Sequence, residues 1–529
     1  FSYDDYRIEL NEIEEMEMRV KTDRYDSNGM PVVEAVNNTI SDLSGYLEID
    51  APDNKSWTKE NPQYPRLTST KDSYVYYDHP NIQRGKYTRD KFYYKVDPFV
   101  LENLKEIETN KTSFEGELIS GMIFPPIRQP LVVRKHDNSL GFETMTPEEG
   151  LSAYNGRATF YNEIDLSNDG LRGTGDFHYI KSRSKSDDML FLPEEAYAYT
   201  TDFFVDKTTD GVLFPDVELG KNQEVLDATG TKHLGQTFLE FAPFKDQLAV
   251  SNTRGEFHMF KNPKSVLGFD CIHMGTIYVT PTGLSGIGTS DLPRGAKLES
   301  ARMDFTDHTI LADTSFFAQY RPNPKIPGSM MLQSDGLRQD ILIGDTVIRQ
   351  NRNRKTFYNV TAGQHPEKKY YNSVLRENAI YKDMQEQDES IEDLFYSKSL
   401  IATIDFEKRE GYFTYKNSYG GEKTYSSIKY KTWVKQFTWD MDRNIQVVGH
   451  KGASPGLRFV CTKEKQDSLQ FYVPFARFLG DEDIMYCEEV KYINTADAKV
   501  LLDESGLVTL HTDAVIDPLE NSKVELKTD

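Results

Sequence analysis

Between residues 156 and 204, Ala158, Phe160, Ile164 and Leu166 fall on alternate positions. One face of an extended strand is therefore apolar, while Thr159, Glu163 and Asp165 point the other way. Asn168-Asp169-Gly170 supplies a residue tolerant of positive φ where that strand must reverse. Gly173 and Gly175 then lie two apart on one face of the returning strand. Glycine there marks a bulge or the close approach of another backbone. Met189-Leu190-Phe191 and Thr201-Asp202-Phe203-Phe204 complete the unit.

A degenerate second copy begins at Gly275, where Ile277-Tyr278-Val279 leads into Gly283-Leu284-Ser285-Gly286-Ile287-Gly288. Thr314-Ser315-Phe316-Phe317 closes it. Gly283, Leu284, Gly286 and Gly288 each stand 113 positions after Gly170, Leu171, Gly173 and Gly175, as do the closing Thr-x-Phe-Phe residues. This is an internal repeat. The glycines are expected to serve the backbone, where main chains of two sheets come near each other, and the copies to fold alike. A phosphate-binding Gly-x-Gly is the rival reading, but no strand-to-helix switch and no Lys-Ser/Thr follow it.

The first hundred residues read differently. Tyr6, Leu10, Ile13, Met16 and Val20 keep helical spacing and predict a surface helix; Asp26-Ser27-Asn28-Gly29 is a turn. Pro31 opens a second helical pattern through Val32, Val36, Ile40, Leu43 and Leu47. Tyr74–Tyr77 and Lys91–Val96 are β-prone, and Asp97–Leu101 begins a short helix ending near Asn110.

From Phe114 onward strand signals recur with turn residues between them. Gln247–Val250 and Gly255–Phe260 flank Asn252-Thr253-Arg254 as a hairpin. Leu400, Ala402, Ile404 and Phe406 alternate, then turn through Glu407–Gly411 into Tyr412–Tyr415. Val500–Leu502 and Leu507–Leu510 read as another hairpin, and Asn372–Lys398 as a helix.

The fold class expected is mainly β. Repeated antiparallel β units form an elongated sheet or a string of sandwiches, with an α-containing N-terminal region and one helical insertion near 372–398. The expected divisions are a mixed α/β region at 1–115, a first β repeat unit at 116–270, a second at 271–395 and a third at 396–529.

At 529 residues the chain suits three or four domains or one array. Hydrophobic and aromatic fractions of 38% and 12% are enough for packed cores. A formal charge of −22 argues against nucleic acid and anionic bilayers as partners. Cys271, Cys461 and Cys487 are too few and scattered for a disulfide framework or zinc knuckle, which leaves the redox compartment open. No apolar run is long enough to span a membrane as a helix. The chain starts at Phe1, so any signal or anchor is expected outside it.

Asp165, Ser167, Asp169, Gly170 and Asp176 have the spacing of a calcium loop. The flanks alternate as strands, however, and the second copy offers Thr280, Thr282 and Gly283 there without a carboxylate. A hairpin turn is the reading taken, and likewise for Asp206–Gly211. The ten histidines are spread singly; His258 and His273 are candidates to meet across strands. Gly283-Leu284-Ser285-Gly286 lacks the spacer of a serine elbow, and nothing marks the Cys271–His273 pair as activated. Glu240, Asp246, Glu256 and Asp270 lie near Phe241, Phe244, Phe257 and Phe269, as a sugar cleft requires, which is also how a half-buried acidic sheet looks. Trp57, Trp433 and Trp439 are the candidates for a sugar-stacking surface.

Ser139–Phe142, Thr146–Gly156, Leu166–Gly175, Tyr179–Ser182 and Ser186–Phe191, with Tyr76–His79 and Tyr93–Phe99 upstream, form one further pattern. It resembles the large, repetitive envelope proteins of Bacteroidota across roughly residues 30–445. The resemblance implies an exported, non-enzymatic β-repeat protein that is longer in full and carries no catalytic motif or cofactor. The leading expectation is thus a non-catalytic cell-envelope or surface protein, structural or binding, whose partners are other envelope proteins or further copies. Two alternatives stand: a carbohydrate-binding or carbohydrate-active protein, and a bridge-like lipid groove.

Overall fold

A computed structural model describes residues 2, 4–220, 224–226, 232–234, 237–252, 256–265, 268–322, 330–331, 341–343, 346–348, 391–464, 469–495 and 498–526. The architecture is mainly antiparallel β, and no α-helix occurs among the described residues. Two compact units divide the chain. One holds Phe1–Asp202 with Phe238–Leu248, and the other Phe203–Thr237 with Ala249–Asp529.

The helices expected in the first hundred residues are strands. Arg7–Ile13 pairs with Leu43–Glu48, and Arg19–Tyr25 with Pro31–Ala35 around the turn at Asp26. Asp26 Oδ1 accepts the N–H groups of Asn28 (2.8 Å) and Met30 (2.9 Å), which fixes that turn. The misreading has a cause. Tyr6 to Leu10, Val32 to Val36 and Leu43 to Leu47 are steps of four, which return to the same face of a helix and of a strand alike. Val100–Leu101 is likewise strand, followed by a single 3-10 turn at Thr109–Lys111. Of the helix expected over Asn372–Lys398, the portion before Ile391 lies outside the described residues. The remainder opens the strand Ile391–Asp405.

In the first unit, Ala158–Ser167 runs antiparallel to Gly170–Tyr179, which pairs with Ser182–Phe191. Phe160, Ile164, Leu166, Leu171 and Phe177 are buried, as the alternation requires. Full burial of each such side chain stabilises by about 1.5–3 kcal/mol. Tyrosines fasten this sheet from behind: Tyr87 Oη donates to Phe191 C=O and accepts Leu171 N–H, and Tyr77 Oη donates to Leu140 C=O.

The second copy, in the other unit, reproduces this arrangement. Phe269–Thr280, Gly283–Asp291 and Ala296–Phe305 pair in order. Ile164 faces Gly173 and Ile277 faces Gly286. Both copies carry the same bulge. Gly173 stands opposite Met189 and Gly175 opposite Ser186, so three residues face four; Gly286 and Gly288 stand opposite Met303 and Ser300 in the same way.

An equivalent serine clasps each bulge. Ser186 Oγ accepts Asp188 N–H and donates to Tyr199 C=O, while Ser300 Oγ accepts Arg302 N–H and donates to Asp313 C=O. A Cβ on Gly175 would lie 1.9 Å from Tyr161 O, and one on Gly173 2.5 Å from the Phe160 ring. The close approach is thus by neighbours within one sheet, which corrects the expectation of two sheets' main chains meeting.

Beyond the second copy, Thr309–Pro322 pairs with Ile391–Asp405. That strand forks: Leu400–Asp405 pairs with Glu410–Tyr415, and Tyr396–Ser397 with Thr424–Lys423. The chain then alternates between two sheets. One contains Gln436–Asp440, Ile445–Gly449, Phe475–Leu479, Ile484–Glu488 and Val508–Leu510. The other contains Gly421–Tyr425, Tyr430–Val434, Leu457–Cys461, Gln470–Val473, Tyr492–Thr495, Ala498–Leu501 and Lys523–Leu526.

The buried faces pack as a sandwich, with Tyr425 of one sheet 5.0 Å from Phe478 of the other. Val500–Leu502 and Leu507–Leu510 therefore form no hairpin with each other. Ala498–Leu501 pairs with Tyr492–Thr495 and Lys523–Leu526, and Val508–Leu510 with Ile484–Glu488.

Candidate functional site

Hairpin ends and loops of the second unit enclose a polar cleft of about 860 Å³. Asp270 forms its buried wall and is 4% exposed. The loop preceding it is set by Asn262, whose Oδ1 accepts Lys264 N–H (3.0 Å) and whose N–H donates to Gly268 C=O (2.7 Å). The same asparagine uses Nδ2 to donate to Asp270 Oδ2 at 2.9 Å. Across the cleft, Asp405 Oδ1 accepts the N–H groups of Glu407 and Lys408 and so tightens the turn that presents Arg409. Arg409 Nη1 donates to Asp270 Oδ2 at 2.7 Å, and its Nε to Asp442 Oδ1 at 3.0 Å.

Asp270 Oδ1 has no hydrogen-bond partner among the described residues. An unmet buried acceptor of this kind costs about 1–3 kcal/mol. Burial pushes the Asp270 carboxyl above its ordinary range, against the opposing pull of Arg409. The wall is also strained: Phe260, packed 4.3 Å from Phe406, holds φ +59°, and Arg294 and Arg409 each hold +60°. Lys207, Lys261 and Lys264 also line the cleft, balanced by Asp216, Asp307 and Glu407, and Asp216 Oδ2 accepts Lys261 N–H at 2.7 Å. Asp307 stands beside His308, with Oδ1 2.9 Å from Nδ1.

Of the four acids singled out in sequence, Asp270 alone lines this cleft. Glu240 is exposed on the strand Thr237–Ala242. Asp246 accepts Tyr179 Oη and belongs to the first unit; Glu256 is buried against His258 Nε2 at 3.1 Å. Sequence reading missed Asn262, Arg294 and Arg409. The turn signal at Glu407–Gly411 was legible, but which side chain it aims is a tertiary fact.

The remaining candidates are structural. Asp165 pairs with Arg134, and Ser167 faces Gly170 across the hairpin turn, as expected of those residues. Asp169 does come within 3.6 Å of His136 Nε2, with Asp137 3.7 Å from the same nitrogen. Asp137 is already engaged by Ser139 and by Asn168 N–H.

His258 and His273 do not meet. His258 stands opposite Ile272 and His273 opposite Phe257, so they occupy opposite faces. His273 Nδ1 lies 3.1 Å from Ser290 Oγ, and burial raises the Cys271 thiol pKa. Cys271, Cys461 and Cys487 are all free and buried.

Ser285 sits mid-strand and not at an elbow. Trp439 is core, whereas Trp57 is exposed. Trp433 lies on the outer face of its sheet, where Lys431 and Arg458 approach its ring to 5.3 and 5.7 Å. No helix of the described residues is long and apolar enough to cross a membrane.

No family model matches the chain, and no curated protein matches it.

Proposed function

We propose that the chain is a non-catalytic binding protein of the cell envelope or outer surface, of the exported β-repeat kind that its sequence resemblance implies. The observation carrying this reading is the repeat itself. Both copies share a bulge and a serine clasp, and among the described residues no acid, base or metal set is common to the two copies. What is repeated is a way to build sheet. Other envelope proteins or further copies of the chain are its expected partners.

One carboxylate pair of the cleft, Asp270 with Asp442, is unsuited to cleavage. A glycosidase needs two carboxylates flanking an open gap of about 5–9.5 Å. Here Arg409 lies between Asp270 and Asp442 and bonds to both. The lipid-groove alternative finds less support, because the apolar faces of the sandwich meet: Tyr425 lies 5.0 Å from Phe478 of the facing sheet and Trp439 is fully buried.

An antibody against the chain tests the location. Labelling of intact source cells is the expected result. Labelling confined to permeabilised cells, with the protein in the cytosolic fraction, overturns the assignment.

A further inference from the structure

We propose that the outer face of one sandwich sheet, over Tyr430–Val434, Leu457–Cys461 and Gln470–Val473, binds an extended β-1,4-linked polysaccharide. One sugar stacks on Trp433 and the next but one on Tyr472. The inference rests on reading the chain as a binding protein of the cell surface, and it names a ligand class and a site for it.

The strand register builds a row. Thr432 stands opposite Phe459, so the residues one step further on, Trp433 and Arg458, are neighbours, and Arg458 stands opposite Tyr472. Thr432, Phe459 and Phe471 are buried, which turns the residues beside them to the outside. Trp433 is 37% and Tyr472 46% exposed, so both rings keep apolar surface in water that a ligand would cover. A sugar of the β-glucose type carries C–H bonds on its faces and hydroxyls around its rim. Its face stacks on an aromatic ring, whose negative face attracts the C–H dipoles. Two strand spacings put Trp433 and Tyr472 about 9.5 Å apart. Successive sugars of a β-1,4-linked chain flip, so alternate sugars present the same face at close to that repeat.

Polar groups between and beside the rings suit the sugar rim. Arg458 Nε donates to Gln470 Oε1 at 2.8 Å, which holds the guanidinium in the row, and its Nη groups have no hydrogen-bond partner among the described residues. Gln470 in turn stands opposite Asn494. Planar side chains of this kind offer hydrogen-bonding groups in pairs to adjacent hydroxyls. Other occupants fit less well. A charged arginine separates the rings, so the row lacks the apolar centre of a protein interface. Arg458 is the one cation of the row, and Lys431 over the Trp433 ring is already paired with Glu422 at 3.1 Å. A strand of nucleic acid calls instead for a cationic groove along its backbone.

Calorimetric titration of the intact chain with cellohexaose tests this, beside maltohexaose, whose α-linked chain coils, and an oligothymidylate. Cellohexaose is expected to bind, with affinity falling at least about tenfold in Trp433→Ala and in Tyr472→Ala. Trp57→Ala, which removes an exposed tryptophan of the first unit, is expected to bind unchanged. All three substitutions alter exposed side chains, so each variant reports on binding and not on folding.

Equal affinity in Trp433→Ala or Tyr472→Ala, or loss of binding in Trp57→Ala, overturns the row while leaving a glycan-binding protein. Equal binding of maltohexaose overturns the extended chain. Oligothymidylate binding as tightly as cellohexaose overturns the carbohydrate. No binding by any probe overturns the proposal, whereas the envelope reading stands or falls on the antibody result.

Discussion

Gly173 faces the ring of Phe160, which is fully buried and cannot step aside. Gly173→Ala is therefore expected to cost about 1–3 kcal/mol through overpacking. Gly175→Ala should cost more, because its Cβ would meet a main-chain carbonyl and its φ is +154°. Gly211→Ala has only its positive φ against it and open space around it, so about 1 kcal/mol is expected. Urea unfolding of the three variants checks that order, and equal costs contradict it.

Position 160 of the first copy corresponds to His273 of the second, and burial lowers the imidazole pKa from 6.5 to about 4. The unfolded chain takes up this proton first, so stability falls as pH drops from about 6.5 towards 4, by at most about 3 kcal/mol. Glu299 has the opposite sign. Burial pushes it up to about 7, so its contribution falls as pH rises from about 4.5 to 7. His273→Phe, which installs the residue of the first copy, should remove the acid-side loss and leave that of Glu299. Unfolding midpoints between pH 4.5 and 6.5 decide it; an unchanged slope contradicts the assignment.

At the scale of elements, the forked strand Ile391–Asp405 places Lys423 inside the sandwich with no exposure. Its Nζ lies 3.7 Å from the Phe437 ring and 4.1 Å from that of Phe395, with no hydrogen-bond partner among the described residues. Burial drives its pKa well below the ordinary lysine value. The unfolded chain binds this proton more readily, so stability climbs with pH until the unfolded value near 10.4 is reached. Lys423→Met should raise stability at neutral pH by about 1–4 kcal/mol and flatten that climb. Destabilisation in urea would mean that the amine meets a partner inside the sandwich.

The same elements show what was legible in sequence. The hairpins at Gly170 and at Glu407–Gly411 could be read because turn residues and alternation agree there. The N-terminal strands could not, because spacings of four fit both periods. Ala498–Leu501 and Val508–Leu510 show a different limit. Each alternates as a strand should, yet their partners are set by the chain crossing between sheets, which no local pattern encodes. Asp270 stood out by its aromatic neighbour Phe269; Arg409, 139 residues away, did not.

At the scale of the molecule, the chain carries a net charge of −22, while the polar cleft of the second unit sets five Lys and Arg side chains against five carboxylates. The central claim is that this chain is a non-catalytic envelope protein whose repeats serve to build sheet. The most direct measurement is the count of new reducing ends when purified protein is incubated with a panel of polysaccharides. The account predicts no new ends; ends that accumulate with time and vanish in a variant of one carboxylate, such as Asp270→Asn, would contradict it.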